Sequence, residues 1–366
     1  MRQELLRIWM SQPWSWSAEG PTGILTVGSC WLFLLFIAGH TLFLVMSGRR
    51  AAVKDPLGWV GRGIVLLVLS LLFKTGMIPA TLPIFGYGMM VLTGFLCGLW
   101  FAQARARAVG RNPEEMLDLS FWLLIGGMLG GRIAFLVQYW DAVVKPGMKP
   151  EQVLLAVMNL SEGGLVLIGA LVGGALGFLG FCKFRKVSFL ELADLVAPAV
   201  FIGIGFGRLG CLLNGCCFGE RCDLPWAITF PAESVPFKIL ALRGLVDPNA
   251  SATFPLHPTQ IYSALDGFIL ATVTALYYWR RQRAGDVFAL GCILYSITRF
   301  LMEFLRGDEP GQLGTIFTIS QFYSVGIMAC GIAVMVAARW NPRGQAETPP
   351  RPREMGVKIG NASASH

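Results

Sequence analysis

The feature that most constrains this chain is a series of long apolar segments, each separated from the next by polar or basic residues. A helix needs about 20 apolar residues to cross the hydrocarbon core of a bilayer. By this criterion the sequence predicts nine membrane-spanning helices in an all-α, polytopic integral membrane protein. The predicted spans lie near 24–47, 60–79, 84–104, 118–139, 164–183, 190–210, 259–279, 286–305 and 317–339.

The composition excludes an ordinary soluble protein. Hydrophobic residues make up 54% of the chain and charged residues 14%, whereas soluble domains carry about 25% charged residues. The net charge of +8 is explained by basic cytoplasmic loops. No basic run carries interleaved aromatic residues, so nucleic-acid binding is excluded. The tryptophans among the first 20 residues favour an interfacial helix, with a disordered end as the alternative.

The distribution of basic residues predicts the orientation. Clusters begin at Arg49, Arg105, Lys183, Arg280 and Arg339, after every second predicted span. Because positively charged loops stay in the cytoplasm, the amino terminus is expected outside and the carboxyl terminus inside. We expect an extension with two helices at 1–80, a membrane core at 81–340 and a disordered cytoplasmic tail at 341–366.

Three residues of the eighth predicted span place charge at membrane depth. Tyr295, Arg299 and Glu303 follow one another at four-residue intervals, so they share one face of the helix. Charges inside a membrane usually mark a functional site. An internal salt bridge between Arg299 and Glu303, which makes the helix tolerable in lipid, is the structural alternative.

Two further arginines, Arg208 and Arg132, stand beside glycines, which allow a close approach of backbone or of a lipid headgroup. The segment Glu162-Gly163-Gly164 adds a flexible turn with a carboxylate at the outer start of the fifth span. Arginine grips phosphate with two parallel hydrogen bonds. These arginines therefore predict an anionic phospholipid as substrate or ligand, although an arginine snorkelling from a packing seam is an alternative for Arg208.

Several short motifs occur in order between residues 80 and 340. They are Tyr87-Gly88, Gly130-Gly131-Arg132, Gly163-Gly164, Gly207-Arg208-Leu209-Gly210 with Asn214-Gly215 and Gly219, the run from His257 to Tyr262, and the run from Arg299 to Arg306. Together they resemble the signature of the prolipoprotein diacylglyceryl transferase family. The resemblance covers seven predicted spans and leaves the first two outside it.

The resemblance implies a seven-helix transferase core with two extra N-terminal helices. It also implies that a cysteine thiol of a prolipoprotein attacks the glycerol carbon of phosphatidylglycerol next to the phosphate, so that glycerol phosphate leaves. The implied catalytic residues are Arg208, Arg299, Glu303, His257 and Tyr87. The implied substrate-binding residues are Arg132, Gly163, Gly164, Tyr295, Asn214 and Gly219.

Roles for these residues follow from what the reaction requires. The leaving phosphate needs cations, a requirement that Arg208 and Arg299 meet, with Arg132 in support. Glu303 either orients Arg299 or takes a proton. The acceptor thiol must lose its proton to a base, for which Glu303, His257 and Tyr87 are candidates. His257 alternatively only fixes the turn before Pro258.

The sequence departs from the family pattern at three positions. The family histidine corresponds to Ile168, which cannot move a proton, and two polar positions correspond to Cys211 and Cys216. Either one of the remaining groups takes over the proton, or the protein has a different acceptor or no catalysis.

Four cysteines, Cys211, Cys216, Cys217 and Cys222, follow a C-x4-C-C-x4-C pattern that zinc sites do not usually show. On the predicted outer side they form disulfides, bind a metal or remain buried thiols.

The sequence thus predicts transfer of a diacylglyceryl group from phosphatidylglycerol to a prolipoprotein cysteine at the outer face of a bacterial inner membrane. The expected partners are phosphatidylglycerol, a lipobox peptide and membrane lipids, and no metal or cofactor is assigned. The alternative is a non-catalytic or differently specific protein that binds anionic phospholipid and has a cysteine-stabilised outer loop. Retention of Tyr295, Arg299 and Glu303 speaks against that alternative.

Overall fold

The computed structural model describes residues 4–9, 16–19, 24–28, 81–145, 147–158, 164–306 and 317–340. The predicted span at 60–79, most of the span at 24–47 and the tail from 341 lie outside the described residues. The chain divides into two compact units. The first comprises Met1–Thr93 and Gly207–Ile261, and the second comprises Gly94–Phe206 and Tyr262–His366.

A small sheet in the first unit differs from the sequence prediction. Its strands are β1 (Glu4–Trp9), β2 (Trp16–Glu19), β3 (Ile24–Gly28) and β4 (Thr81–Phe85), in the order β2-β3-β1-β4. Strand β1 runs parallel to β3 and antiparallel to β4. The expected interfacial helix and the start of the first span are therefore strands, because β-branched and aromatic residues in these segments favour extended backbone.

Nine α-helices follow within the described residues. They are α1 (Gly86–Ala108), α2 (Glu114–Val143), α3 (Pro150–Met158), α4 (Leu167–Arg185), α5 (Phe189–Asn214), α6 (Val235–Leu242), α7 (Thr259–Tyr277), α8 (Asp286–Glu303) and α9 (Ile319–Trp340). Seven of them coincide with the third to ninth predicted spans, whereas the short helices α3 and α6 lie in connections.

Six helices are long and apolar enough to cross a membrane: α1, α2, α4, α5, α7 and α9. Large apolar side chains cover their outer surfaces, such as Val137 on α2 and Leu171 on α4. Helix α8 is not among the six, since Asp286, Arg299 and Glu303 place three charges in its 18 residues. The described chain therefore confirms a helical membrane protein with six candidate spans, and the predicted count of nine is not confirmed.

Helices α2 and α4 pack through a seam of glycines in the second unit. A side chain added at Gly126, Gly130, Gly169 or Gly173 would overlap a backbone carbonyl of the facing helix. Glycine is therefore required where the two backbones touch. The seam positions Arg132, which lies two residues beyond Gly130 on α2.

The start of α8 is held by a buried carboxylate on α5. Asp194 accepts hydrogen bonds from the backbone N–H groups of Gly285 and Phe288, each over 2.8 Å. It also pairs with Arg281 over 2.9 Å, and Asp194 is fully buried. These bonds satisfy N–H groups at the helix start that lack partners within the helix, so they anchor the helix that carries Tyr295, Arg299 and Glu303.

The long connection between α5 and α7 is a folded subregion of the first unit. Its core consists of Phe218, Phe230, Leu240 and Leu256. Ser234 caps α6 by accepting a hydrogen bond from the N–H group of Phe237. Because this connection has its own core, it holds the ends of α5 and α7 in a fixed arrangement.

Candidate functional site

The end of α5 contains the most specific sequence motif. Gly215 has a left-handed φ of 79°. Its N–H group donates to the Leu212 carbonyl over 3.2 Å, and the Cys216 N–H group donates to the Cys211 carbonyl over 3.1 Å. This pattern is a Schellman cap, in which glycine takes the left-handed position without strain. The Asn214-Gly215 pair therefore ends the helix that carries Arg208 and reverses the chain behind it.

Hydrogen bonds join this turn to the start of α7. The N–H group of Gly219 donates to the His257 carbonyl over 3.1 Å. The hydroxyl of Thr259 donates to the Cys217 carbonyl over 2.7 Å, and Gln260 Nε2 donates to the Cys216 carbonyl over 2.9 Å. The structure thus brings together Asn214, Gly219 and His257, three of the predicted site residues. The role of His257 in proton transfer stays a prediction.

Tyr87 lies at the start of α1 in the same unit. It is within electrostatic range of Arg208 and of the thiols of Cys211, Cys216 and Cys217. Close packing explains the glycine at 210, where an added Cβ would lie 3.1 Å from Tyr87 Cδ2. The structure therefore gathers Tyr87 and Arg208 around the end of α5.

Three thiols form a cluster at this place. The Sγ atoms of Cys211, Cys216 and Cys217 lie within 4.8 Å of one another. Hydrogen bonds from the Cys211 and Cys217 thiols lower the pKa of the Cys216 thiol, and the side chain of Asn214 adds a further bond. We call these three residues the thiol cluster. Cys222, the fourth cysteine of the sequence pattern, is not part of it.

In the second unit, Glu303 is the centre of a buried charge network. Its Oε2 atom pairs with Arg299 and with Arg306, whose Nη1 atom lies 3.3 Å away. Its Oε1 atom accepts a hydrogen bond from the Thr318 hydroxyl over 2.8 Å. The salt bridge between Arg299 and Glu303, which the spacing offered as the structural alternative to a functional face, is therefore present. A carboxylate that accepts from three donors is stabilised in its ionised form. This arrangement favours a role of Glu303 in orienting Arg299 over a role in proton transfer.

Two members of this network were not among the sequence-predicted site residues. Arg306 follows Glu303 by three residues, a spacing that favours contact. Thr318 precedes α9, where it accepts from the N–H group of Gln321 while its own N–H donates to Gln321 Oε1. The signal in the sequence is the capping-box pattern Thr-x-x-Gln at 318–321.

Tyr295 has a different environment from the one its spacing suggested. Its ring packs against Phe201, with the centroids 6.1 Å apart, and it joins an apolar cluster with Leu270 and Ala271. These contacts explain a packing role, and a substrate-binding role for Tyr295 stays a prediction.

Arg132 links the end of α3 to Gly164, which lies three residues before α4. Its guanidinium donates to the carbonyls of Val157 and Ala156, each over 2.8 Å, and to the Gly164 carbonyl over 3.2 Å. Gly164 has a left-handed φ of 86°, and a Cβ there would lie 2.6 Å from Arg132 Nη1. These contacts fix the backbone at Gly164, whereas Gly163 lies outside the described residues.

Ile168, which the resemblance places at the position of the family histidine, lies in the first turn of α4 and is 47% exposed. An apolar side chain at this exposed position accepts no proton. The structure therefore offers no replacement for the histidine at this place.

Comparison with known proteins agrees with these motifs. The family model described as prolipoprotein diacylglyceryl transferase matches residues 76–337. This chain belongs to the prolipoprotein diacylglyceryl transferase family.

The match to this chain extends over most of the length of each relative. The phosphatidylglycerol–prolipoprotein diacylglyceryl transferase of Clostridium tetani is 34% identical over 253 residues, which is 69% of this chain and 92% of the relative. The second such transferase of Clostridium perfringens is 36% identical over 69% of this chain and 90% of the relative. The transferase of Rhodopirellula baltica is 25% identical and covers 86% of each chain.

Two of the sequence motifs contact each other in the first unit. In this prolipoprotein diacylglyceryl transferase family member, the turn after Asn214 and the segment from His257 to Gln260 are far apart in sequence and adjacent in the first unit. We call the hydrogen-bonded contact between these two segments the junction between α5 and α7. Residues of both segments are needed to form it and to place the end of α5.

Proposed function

We propose that this chain transfers the diacylglyceryl group of phosphatidylglycerol to a cysteine thiol of a prolipoprotein. The acceptor thiol loses its proton to a base or to water, and the C–S bond forms at the glycerol carbon. The bond from that carbon to the phosphate oxygen breaks, and glycerol phosphate leaves with its electrons. The observation that carries the proposal is the junction between α5 and α7, which lies beside Tyr87 and Arg208 in a member of this family.

Arg208 is the proposed phosphate ligand of the first unit. It is partly buried and lies one helical turn before Cys211 on α5. A guanidinium in a low-dielectric site stabilises the charge that develops on a leaving phosphate. In the second unit, Arg299 stays a predicted phosphate ligand, and its own orientation is set by Glu303.

The remaining predicted residues have supporting roles in the proposal. Gly219 and Asn214 shape the turn behind Arg208, and Arg132 with Gly164 shapes the start of α4. The proposal also divides the chain into an N-terminal extension at 1–80, a membrane core at 81–340 and a cytoplasmic tail at 341–366.

The proposed location is the outer leaflet of a bacterial inner membrane. The relatives are bacterial, and the described chain has six helices that can cross a bilayer. Basic residues at the ends of α1, α4 and α9 support an amino terminus outside and a carboxyl terminus in the cytoplasm. A lipobox peptide presented on the outer side is the proposed acceptor.

The test is transfer of labelled phosphatidylglycerol to a lipobox peptide by the purified protein in lipid nanodiscs. A peptide with serine in place of the acceptor cysteine is the substrate control. Arg208→Ala is expected to lower the rate about 100- to 1,000-fold, the typical loss for one charge-stabilising donor. Arg208→Lys should be intermediate, because lysine cannot bind phosphate bidentately. Arg243→Ala, on the exposed end of α6, is the matched control.

Full transfer by Arg208→Ala would remove Arg208 from the proposal. Retention of labelled lipid without any peptide product would instead support the non-catalytic lipid-binding alternative, which the names of the relatives do not favour.

A further inference from the structure

The thiol cluster has the geometry of a metal site. The Sγ atoms of Cys211, Cys216 and Cys217 lie within 4.8 Å of one another. A zinc ion with Zn–S bonds of about 2.3 Å needs sulfur atoms roughly 4 Å apart. Small side-chain rotations therefore suffice to bring the three thiolates onto one ion. Each of the three cysteines is only partly buried, so the cluster is partly accessible.

The backbone around the cluster is fixed before any ion binds. In the Schellman cap, the N–H group of Cys216 donates a hydrogen bond to the carbonyl of Cys211. Cys217 has a left-handed φ of 58°, which is uncommon for a residue other than glycine. The carbonyls of Cys216 and Cys217 are held by Gln260 and Thr259. These bonds hold the backbone that carries the Cys216 and Cys217 side chains.

Gln260 is a buried polar group that is bonded to the backbone of the cluster. The residue is 1% exposed, and within the described chain its Oε1 atom has no hydrogen-bond partner. Its Nε2 atom is already bonded to the Cys216 carbonyl.

The reaction supplies a reason for such an ion. The acceptor thiol must lose its proton, and Ile168 cannot take it. A thiol that coordinates a metal ion is deprotonated. Cys211 follows Arg208 by three residues, so the two side chains are neighbours on α5. An acceptor sulfur bound at the cluster would therefore lie close to a phosphate held by Arg208.

We propose that Cys211, Cys216 and Cys217 bind a thiophilic d10 metal ion as three thiolates, and that the fourth coordination position of this ion binds the acceptor cysteine. This rests on the proposed function. The acceptor S–H bond loses its proton to water as the metal–sulfur bond forms. The bound sulfur then attacks the glycerol carbon, the new C–S bond replaces the metal–sulfur bond, and glycerol phosphate leaves with the electrons of the C–O bond.

The first test is metal binding by the purified full chain, without substrate. Zinc and copper are measured after dialysis, and cobalt(II) is added to reduced, metal-free protein. We expect one ion per chain and an intense thiolate-to-cobalt absorption band. Cys211→Ser, Cys216→Ser and Cys217→Ser should each weaken affinity by at least about 100-fold, since removal of even a supporting group costs 10- to 100-fold.

Cys222→Ala is the matched control, because Cys222 is in the same connection but outside the cluster. It should bind the ion as the native chain does. If the native chain binds no ion at stoichiometric concentration, or if thiol counting finds two of the three cysteines in a disulfide, the metal proposal is overturned.

The second test adds a lipobox peptide to the cobalt-loaded protein. A cysteine peptide should strengthen the thiolate-to-cobalt band, and the serine peptide should not. Tight binding of copper(I) with no response to the cysteine peptide would support the metal site and overturn its role toward the acceptor.

Transfer activity separates this proposal from the proposed function. Full transfer by metal-free protein or by Cys216→Ser would overturn the metal proposal and leave the transferase function standing. A peptide response without any transfer would overturn the transferase function and leave the metal site standing.

Discussion

The hydroxyl of Thr259 donates a hydrogen bond to the backbone carbonyl of Cys217 over 2.7 Å. The two residues are 42 positions apart in the sequence. This bond, together with that from Gln260 to Cys216, ties the start of α7 to the turn that ends α5. The two signature segments of the family are therefore parts of one structural junction.

Thr259→Val should loosen this junction. Valine has nearly the same shape but leaves the Cys217 carbonyl without its donor, at a cost of about 1–3 kcal/mol for a buried group. We expect lower thermal stability and faster alkylation of Cys217, measured by calorimetry and mass spectrometry in detergent. Thr272→Val is the control, because the Thr272 hydroxyl, at an exposed position of the same helix, donates to the Phe268 carbonyl one turn earlier. Equal effects of both substitutions would contradict the importance of the junction.

Glu303→Gln should lower both stability and transfer. Glu303 is 4% exposed and pairs with Arg299 and Arg306. Breaking a buried pair by removing one partner typically costs about 3–5 kcal/mol, because the other charge is left uncompensated. A transfer assay and a thermal scan on the same preparation measure the two effects.

The matched control for this substitution is Glu115→Gln. Glu115 also pairs with an arginine four residues away, Arg111, but both side chains are about one quarter exposed or more. Exposed pairs contribute about 0–1 kcal/mol, so this variant should resemble the native protein. A Glu303→Gln protein with native stability and native rate would contradict the role given to the network.

The glycine seam between α2 and α4 predicts contrasting effects at two neighbouring positions. Gly173→Ala places a methyl group against the backbone of Gly126 and Gly130, whereas Gly174 has open space around it. Gly173→Ala should therefore destabilise by about 1–3 kcal/mol, the usual cost of overpacking. Gly174→Ala should be neutral or slightly stabilising, because alanine favours helix. Chemical unfolding in mixed micelles compares them, and the reverse order would contradict the seam.

Gly164→Ala should be more harmful than a glycine substitution at an equally left-handed but open position. A Cβ at Gly164 would collide with Arg132 Nη1 and with Phe135 Cε1. Gly110 also has a left-handed φ, 76°, and has nothing within 4 Å of an added Cβ. Backbone strain of about 1–3 kcal/mol is common to both, so their difference in unfolding free energy isolates the contacts with Arg132 and Phe135. Equal unfolding free energies of the two variants would show that the neighbouring side chains move aside without a measurable cost.

The sequence predicted the features that depend on local spacing. The pairing of Arg299 with Glu303 follows from their separation of four residues, and the helices follow from apolar segments of membrane length. Thr318 was missed because it is 15 residues from Glu303 and reaches it only through the packing of α8 against α9.

The thiol cluster was missed for a related reason. The spacing C-x4-C-C differs from known zinc patterns, and it was interpreted as unfavourable for metal binding. The helix cap at Gly215 folds the chain back, so Cys216 returns to Cys211 despite the spacing. Arg132 shows the opposite case, since its charge suggested a phosphate ligand and its donors contact backbone carbonyls.

The most direct test is the product balance of the purified protein with phosphatidylglycerol and a cysteine-containing lipobox peptide. Thioether-linked peptide is measured by mass spectrometry, and free glycerol phosphate is measured enzymatically in the same sample. Displacement of phosphate by sulfur predicts one glycerol phosphate for every thioether formed, with both products lost together in Arg208→Ala. Glycerol phosphate released without thioether, or modified peptide without glycerol phosphate, would contradict the proposed transfer.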